Sequence, residues 1–593
     1  ANWLTDQLPV TGATVTIGSG FTGGSLFDLS SFSLTSLTTS SIFSLQSGST
    51  LTLTNGGTFN AAVNVNGTLN LAGGTTSLNS SQMLASSTGA INNAATLNLS
   101  GSASIRLTNT GNGYPVFANA AGSVLNINTT SGGWSFLSDS GTQGGIVNNA
   151  GSININTGYT SWEAAFSNSS SGLLNIAAGN ALSMQNGQTL QGNISLGTGS
   201  TLWVSERHGT NAWFNGTTIN GAGTVQVMGG SFSPVADFTD VNAASATLLV
   251  GSNGTANILS GTTTFANLTM TGGTLDGAGT LNLNTGLTQT GGAQSGSGST
   301  VLGSVATGTL GSATISRALT NQGTLNAATG TNTVSGPFTQ SGILDVANGA
   351  TFVKSGGFVN TGTIRGKGTV DVGSTGNLTN NGTIRPGASP GTLTITGNFT
   401  QGASGTLVME LGGTSQGVSY DWLNITGLAN LGGTLQVDLF GVFTPATGNA
   451  FNLINAAGGI AGTFSQVNLP VGYSFSSNYG ANLFHLGVLS AASSGSASAP
   501  NGLLDAFLNM GAVSYETPLL YLSGQSSPTA SSSGILIQTA EIVLPDLLPD
   551  AQFASAEPTS QGSSANGLIP LFNQLTTDII FKDFAHDSRL ICR

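Results

Sequence analysis

The densest group of chemically active side chains in the repetitive part of the chain is Glu206-Arg207-His208, flanked by Trp203 and Trp213. Tryptophan rings stack on sugar rings, and polar groups beside them bind sugar hydroxyls. These five residues are therefore a candidate ligand-binding patch. The alternative interpretation is a loop whose charges are solvated where it leaves a repeat.

Carboxylates that could do acid–base chemistry are sparse. Polysaccharide lyases and hydrolases need two or three carboxylates close together, often with a cation that holds an acidic substrate. Asp237 and Asp240 are the nearest pair in the repetitive part, and no basic residue lies close to them in sequence. We therefore predict no catalytic residues and a protein that is not an enzyme, with a polysaccharide-degrading enzyme as an alternative.

Histidine is too rare for an ordinary zinc site, since the 593 residues include 3 histidines. His485 lies in an alternating segment and is expected to face outward from a strand, while His586 lies between Asp583 and Asp587 in the tail. Neither a phosphate-binding loop motif nor a calcium-binding repeat is present. We expect no metal and no other cofactor.

Composition excludes several classes of partner. Charged residues are 5% of the chain, against about 25% in an average soluble protein, and the net charge is −12. With Lys354, Lys367 and Lys582 as the lysines there is no basic stripe, so nucleic-acid binding is excluded. No apolar run is long enough for a membrane-spanning helix.

The single cysteine, Cys592, rules out a disulfide within the chain. It is either an inert thiol or a possible intermolecular link. The start Ala1-Asn2-Trp3 suits a mature product after signal-peptide removal, which predicts an extracellular or cell-surface location.

A short phrase, two aliphatic residues around an asparagine, recurs at a fixed spacing. The first four copies start 28 residues apart and the fifth 21 residues later, at Leu69, Leu97, Leu125, Ile153 and Leu174. This register is typical of a solenoid, and the alternation predicts strands with aliphatic residues inward and asparagine outward. We predict a parallel β-helix in which these five residues form one internal column. Phe117 and Phe166 each precede a phrase by 8 residues and predict part of a second column.

The spacing shortens further along the chain. Gly362-Thr363-Ile364-Arg365 returns as Gly382-Thr383-Ile384-Arg385 after 20 residues. The coils are therefore expected to contract from 28 residues to about 20 residues per turn of the rod.

Residues 381–488 resemble the distal part of bacterial autotransporter passengers and related β-strand-repeat surface proteins. The residues that carry the resemblance run from Asn381 to Ile395 and continue as Gly397-Asn398-Phe399-Thr400-Gln401, Gly405 to Leu411, Tyr420 to Gly427 and Leu431 to Leu435. The resemblance implies a right-handed β-helix that this segment closes, and a passenger that folds outside the cell. It also implies that Asp421 and Trp422 in Tyr420-Asp421-Trp422 are structural.

The fold expected is all-β, a right-handed parallel β-helix followed by a short irregular, partly helical tail. Residues 1–60 are expected to hold an N-terminal β cap and the first coils, 61–380 the coil repeats, and 381–488 the distal segment. Residues 489–593 form a Ser/Ala linker and a C-terminal tail, with helical spacing from Asn501 to Met510.

These features predict an exported bacterial structural protein, a rod that assembles with copies of itself into a filament, sheath or surface layer. Few charges mean weak repulsion between copies, which favours association. One alternative is a monomeric adhesin that binds surface glycans, and another is the polysaccharide-degrading enzyme. The expected partners are other copies of the chain and possible glycans.

Overall fold

The computed structural model describes residues 9–19, 25–86, 88–110, 113–130, 133–138, 144–205, 209–387, 389–490, 521–523 and 541–543. The chain separates into two compact units, Ala1–Gly495 and Ser496–Arg593. Throughout the described residues the secondary structure is strand and turn, without helix. No helix in this part of the chain is long and apolar enough to cross a membrane.

The strands are short because each alternating segment ends at a turn rich in Gly, Ser, Thr and Asn. In Thr50–Leu53, for example, both leucines are buried and both threonines face out. The first thirty strands are β1 Thr14–Ile17, β2 Ser25–Phe27, β3 Phe32–Leu34, β4 Ser36–Thr39, β5 Phe43–Leu45, β6 Thr50–Leu53, β7 Gly56–Phe59, β8 Val63–Val65, β9 Thr68–Leu71, β10 Thr75–Asn79, β11 Gln82–Ser86, β12 Ala90–Asn93, β13 Thr96–Gly101, β14 Ser104–Thr108, β15 Val116–Asn119, β16 Val124–Thr129, β17 Gly133–Ser138, β18 Ile146–Asn149, β19 Ser152–Ile155, β20 Tyr159–Trp162, β21 Ala165–Asn168, β22 Leu173–Ile176, β23 Ala181–Met184, β24 Gln188–Leu190, β25 Asn193–Leu196, β26 Thr201–Val204, β27 Ala212–Asn215, β28 Ile219–Asn220, β29 Thr224–Val227 and β30 Val235–Thr239.

The later strands include three long ones that bend around corners of the rod, β31, β33 and β34. In chain order the remaining strands are β31 Asn242–Val250, β32 Thr255–Ser260, β33 Thr262–Asp276, β34 Thr280–Gln294, β35 Ser299–Leu302, β36 Thr307–Gly311, β37 Thr314–Ile315, β38 Ala318–Asn321, β39 Thr324–Thr329, β40 Thr331–Val334, β41 Phe338–Gln340, β42 Ile343–Val346, β43 Thr351–Val353, β44 Gly357–Asn360, β45 Thr363–Gly366, β46 Thr369–Asp371, β47 Asn377–Asn380, β48 Thr383–Pro386, β49 Thr392–Thr396, β50 Asn398–Gln401, β51 Thr406–Leu411, β52 Trp422–Ile425, β53 Ala429–Leu431, β54 Thr434–Leu439, β55 Ala450–Ala456, β56 Ile460–Gly462, β57 Gln466–Asn468, β58 Ser474–Tyr479, β59 Leu483–Ser490, β60 Tyr521–Ser523 and β61 Glu541–Val543.

Every third strand stacks in parallel, which gives three sheets that wind around one core. Sheet 1 contains every third strand from β1 to β28 and from β35 to β56. Sheet 2 runs likewise from β2 to β29 and from β36 to β57, and sheet 3 from β3 to β30 and from β37 to β55. Between the two series, β31 joins sheets 1 and 2, β32 belongs to sheet 3, and β33 and β34 each contribute to all three sheets. The predicted parallel β-solenoid is confirmed.

The 28-residue spacing holds over a short part of the rod. Asn98, Asn126 and Asn154 pair at intervals of 28 residues, but Asn70 pairs with Asn92 after 22 residues. The extra residues of the long coils lie between β14 and β15 and between β17 and β18. Coils of about 20 residues therefore occur on both sides of the long ones, and the contraction is not a one-way trend.

The register corrects the predicted internal column at one position. Leu97 pairs with Leu125, Leu125 with Ile153, and Ile153 with Leu174 in sheet 1. Leu69 lies instead in sheet 3, where it pairs with Leu51 and Ile91. The same phrase occurs on strands of different sheets because alternation suits any of them, so an interval of 28 residues from Leu69 to Leu97 does not measure a coil.

The column that contains Leu69 continues through the predicted phenylalanines. Ile91 pairs with Phe117, Phe117 with Val147, and Val147 with Phe166. Inside this part of the rod Phe136 and Trp162 pack edge to face with ring centroids 5.1 Å apart. The core therefore contains both aliphatic layers and aromatic clusters. The column that contains Leu97 and the column that contains Leu69 are both buried from solvent.

Amide side chains also stack inside the rod. One series lies at the corner from sheet 3 to sheet 1 and ends at Asn168. In it, the Nδ2 atoms of Asn93, Asn119 and Asn149 each donate to the Oδ1 atom of the next asparagine at 2.7 Å. A second series at the corner from sheet 1 to sheet 2 joins Asn321 to Gln340 and Asn360 to Asn380 to Gln401. These buried amides hold the corners in register because they donate to amides of the next coil.

The turn glycines beside the second series are fixed by close packing of the coils. A Cβ on Gly362 would lie 2.0 Å from the carbonyl oxygen of Gly342, and a Cβ on Gly382 would lie 2.1 Å from that of Gly362. Successive turns therefore approach too closely for any side chain, which explains the returning Gly-Thr-Ile-Arg phrase.

One buried arginine binds main-chain carbonyl groups of two neighbouring turns. Arg317 is buried, and its Nη2 donates to the carbonyl oxygens of Gly279 and Ser299 at 2.8 and 3.1 Å, while Nη1 donates to that of Asp276 at 3.2 Å. Burial lowers the pKa of this guanidinium to about 10, with the nearby Asp276 acting in the opposite direction. Arg317 therefore ties together the carbonyl groups of neighbouring turns.

The last coil is closed by an antiparallel hairpin. β59 pairs with β55, the last strand of sheet 3, and β58 pairs with the other edge of β59. Phe451, Phe484 and Leu486 are fully buried beneath this hairpin. The handedness of the rod stays a prediction.

At the other end, parallel coils already begin at β1, which pairs in register with β4. Residues 1–8 lie outside the described residues, so the N-terminal cap stays a prediction.

In the second unit β60 and β61 form an antiparallel pair. The predicted helix Asn501 to Met510, together with His586 and Cys592, lies outside the described residues.

Candidate functional site

The predicted ligand-binding patch is split between two sheets. Trp203 lies on β26 in sheet 2, and its indole Nε1 donates to the carbonyl oxygen of Met228 at 2.8 Å. Trp213 lies on β27 in sheet 3, with 55% of its surface exposed. Glu206, Arg207 and His208 lie outside the described residues. The two tryptophans therefore do not share one sheet face, and Trp203 is held by the main chain.

Trp213 faces outward because its strand neighbours face inward. Ala212 and Phe214 are buried on either side of it, and the Phe214 ring stacks on that of Phe238 at 4.8 Å. With a period of two, the side chain between them must point away from the core. The exposed indole is therefore fixed by the packing of β27 and not by a loop.

Trp213 belongs to a column of outward side chains on sheet 3. In successive coils the register pairs Thr189 with Trp213, Trp213 with Asp237, Asp237 with Asn257, and Asn257 with Asp276. We call these residues the outer column. Neighbouring strands of a sheet are about 4.8 Å apart, so the column brings together side chains that are distant in sequence.

Asp237 is the centre of the hydrogen bonds in this column. Its Oδ2 accepts from Asn211 Nδ2 at 2.6 Å and its Oδ1 from Asn257 Nδ2 at 2.7 Å. The carboxylate is 5% exposed although it lies on the outer face of the sheet. Asn211 comes from the turn that precedes β27, so this pairing ties the turn to the next two coils.

Toward the N-terminus the same column consists of small side chains. Ala118, Asn148 and Ser167 precede Thr189 in register, and a shallow open depression lies over them. We call this part of sheet 3 the trough. Its floor is uncharged, and Trp213 stands beyond its C-terminal end.

Asp237 and Asp240 do not form a carboxylate pair. Asp240 lies in the turn after β30 with φ of 51°, and its Oδ1 accepts from the backbone N–H of Thr262 at 3.0 Å. Each carboxylate is thus bound to different groups, and neither arrangement supplies a paired acid and base. Sequence reasoning missed Asn211 and Asn257 as partners of Asp237, although an interval of about one coil separates each from it.

The other notable acid of the rod has a structural role. The buried Asp421 accepts backbone N–H groups from Gly391 through Oδ1 and Glu410 through Oδ2, both at 2.8 Å. Burial raises the pKa of this carboxyl from 3.8 to about 8, while the two hydrogen bonds and Lys367 act in the opposite direction. Asp421 therefore joins the turn after β48 to β51.

The remaining candidates offer no metal chemistry in the described part of the chain. His485 lies on β59 between the buried Phe484 and Leu486, in the outward position expected for it. Among the described residues, no group of three His, Cys, Asp or Glu side chains is placed to hold a metal ion.

No protein-family model matches this chain, and no curated protein is significantly similar to it.

Proposed function

We propose that this chain is an exported bacterial structural protein, a β-solenoid rod that assembles side by side with copies of itself into a sheath, filament or surface layer. The observation that carries the proposal is the distribution of charge over the three sheets. The resemblance of residues 381–488 to autotransporter passengers supports the bacterial and extracellular parts of it.

Sheet 1 presents an uncharged outer face along the whole described rod. Its strands, together with 242–243 of β31, 262–265 of β33 and 280–283 of β34, contain no Asp, Glu, Lys, Arg or His. The outward positions are mainly Thr, Ser and Asn, including a ladder from Asn98 to Asn175. Its strands are in parallel register from coil to coil, so the outward side chains form columns along the rod.

The charged strand residues lie on the other two sheets. Sheet 2 carries Asp345 and Arg365, which form an ion pair at 2.8 Å, and sheet 3 carries Asp237. Since the whole chain has a net charge of −12, two copies repel each other through most orientations. Contact through sheet 1 brings no charged side chains of the described strands together. The hydroxyl and amide side chains on this face of one copy can form hydrogen bonds with those on the same face of another copy.

The distal closure favours side-by-side over end-to-end contact. β59 covers the edge of β55, so the last parallel strand of sheet 3 offers no free edge to a strand from another copy. Lateral contact leaves this closure intact.

The enzyme alternative has no comparable support, because Asp237 and Asp240 are bound to separate partners.

The test adds charge to one face at a time. In the double variant Thr264→Glu/Thr320→Glu, both substitutions lie on the outer face of sheet 1, one on β33 and one on β38. The matched variant Thr269→Glu/Thr309→Glu changes two similarly half-buried threonines on the outer face of sheet 2. Analytical sedimentation and electron microscopy of the full chain measure assembly.

We expect the native chain and the sheet 2 variant to form side-by-side particles, and the sheet 1 variant to shift to monomers. Circular dichroism checks that both variants fold. A native chain that stays monomeric at high concentration contradicts the proposal, and so does a sheet 2 variant that dissociates as readily as the sheet 1 variant.

A further inference from the structure

We propose that the outer face of sheet 3 around Trp213 binds a neutral or N-acetylated oligosaccharide that lies along the trough. This inference is independent of the proposed assembly, because it concerns sheet 3 and not sheet 1. It rests on four features of the described residues: an exposed indole, one oriented amide beside it, an outer column without Lys or Arg, and an uncharged floor.

The indole of Trp213 is the stacking surface. It is 55% exposed on a strand whose neighbouring side chains are buried, so it cannot turn into the core without displacing Ala212 or Phe214. A large aromatic side chain held in water on a rigid strand offers an apolar face at little cost in side-chain entropy. Sugar rings present C–H groups that pack on such a face while their hydroxyls remain in polar contacts.

Asp237 orients two amides, and one of them, Asn211, lies beside Trp213. Asn211 and Asn257 both turn their Nδ2 atoms to this carboxylate, at 2.6 and 2.7 Å. The oxygen of each amide therefore points away from Asp237, because the two polar atoms lie on opposite sides of the same carbon. Asn257 lies beyond Asp237, two strands from Trp213, so its oxygen points away from the indole. The oxygen of Asn211, fixed in direction beside the aromatic plane, suits the hydroxyl or acetamido N–H groups of a saccharide.

The charge of the column selects against acidic saccharides. Asp237 and Asp276 lie two coils apart in the outer column, and no described residue of the column from Ala118 to Asp276 is Lys or Arg. A uronic acid placed on Trp213 would meet the carboxylate of Asp237, and the described residues of the outer column offer no Lys or Arg to bind its acid group. Neutral and N-acetylated sugars meet no such repulsion.

The trough favours a chain over a single sugar. Ala118, Asn148, Ser167 and Thr189 continue the column from Trp213 with small uncharged side chains. Five strands in register span roughly 20 Å at the usual strand separation. A linear oligosaccharide of a few units can therefore stack one ring on Trp213 and lay the others over the trough.

The experiment titrates the full native chain with chitotetraose, cellotetraose and tetragalacturonate, using calorimetry. We expect chitotetraose or cellotetraose to bind with a Kd below about 1 mM, and tetragalacturonate to bind at least about tenfold more weakly. In Trp213→Ala the affinity for the neutral tetrasaccharide should fall by at least about tenfold, because the stacking surface is removed.

The control is Phe440→Ala, which removes a 41% exposed aromatic side chain just after β54, many coils away. It should bind the tetrasaccharide like the native chain. Both variants should sediment like the native chain, which separates this inference from the assembly through sheet 1. Failure of both neutral tetrasaccharides to bind overturns the inference, as does equal loss of affinity in Phe440→Ala or equal binding of tetragalacturonate.

Discussion

At the scale of single residues, Asp421 shows how a polar side chain can look catalytic and be structural. Its carboxylate lies in the interior and accepts two backbone N–H groups, from residues 30 and 11 positions away in the chain. The resemblance of the distal segment indicated a structural role for Tyr420-Asp421-Trp422. The partners Gly391 and Glu410 could not be predicted, because they depend on the register of coils whose lengths vary.

Replacing Asp421 by Asn is expected to destabilise the distal coils. The amide oxygen can accept one of the two N–H groups, but Nδ2 cannot accept the other, and an unpaired buried donor costs about 1–3 kcal/mol. Hydrogen exchange of the Gly391 and Glu410 amides should become faster. The control Asp345→Asn breaks a half-exposed ion pair with Arg365 and should cost about 1 kcal/mol or less.

The pH dependence of this effect has a definite sign. Burial raises the pKa of Asp421 from 3.8 to about 8, so between these values the folded chain holds a proton that the unfolded chain has lost. The contribution of Asp421 to stability therefore falls as pH rises through this window. Denaturant unfolding measures the stability difference between the native chain and Asp421→Asn. This difference should be largest near pH 3.8, at the acidic end of the window. A difference that grows toward pH 8 contradicts the argument.

At the scale of elements, strands were predictable and their assignment to sheets was not. Alternation identifies Leu69, Leu97 and Leu125 as inward residues because strand side chains alternate whatever the sheet. It cannot tell sheet 1 from sheet 3, and for this reason the predicted column is wrong at Leu69. A signal for the corners was present, since Asn93 and Asn149 each stand three residues before the next strand begins.

The internal amides should contribute more to stability than the outer ones. Asn149 accepts from Asn119 and donates to Asn168 and to the carbonyl oxygen of Leu173. Asn149→Ala leaves buried polar groups without partners and should cost about 2–3 kcal/mol. The measurement is the midpoint of denaturant unfolding followed by circular dichroism.

The matched change is Asn154→Ala in the outer ladder of sheet 1. Asn154 donates to Asn126 at 2.8 Å and accepts from Asn175 at 3.4 Å, but water can replace both bonds because this ladder is half-buried. Its cost should stay below about 1 kcal/mol. Equal effects of the two substitutions would mean that the internal amides do not hold the corners.

At the scale of the whole molecule, the fold could be predicted and the grouping of side chains on the three sheets could not. Low charge, abundant glycine and a repeated phrase sufficed for a parallel β-solenoid. The charge-free face of sheet 1 became visible when the register assigned each strand to a sheet, because charged residues such as Asp345 and Arg365 are scattered in sequence and grouped in space. Trp213 and Asp237 likewise became neighbours through pairing of β27 with β30.

The salt dependence of assembly is the final prediction, and it follows from the contrast between a net charge of −12 and an uncharged contact face. If copies meet through sheet 1, charge acts as long-range repulsion from the other sheets, and salt screens that repulsion. Raising the salt from about 0.01 M to about 0.5 M should therefore increase the assembled fraction measured by sedimentation, since the Debye length falls from about 30 Å to a few ångströms. An interface of ion pairs, such as one built on Asp345 and Arg365, would weaken over the same range. Assembly that dissolves as salt rises would thus assign the contact to sheet 2 instead of sheet 1.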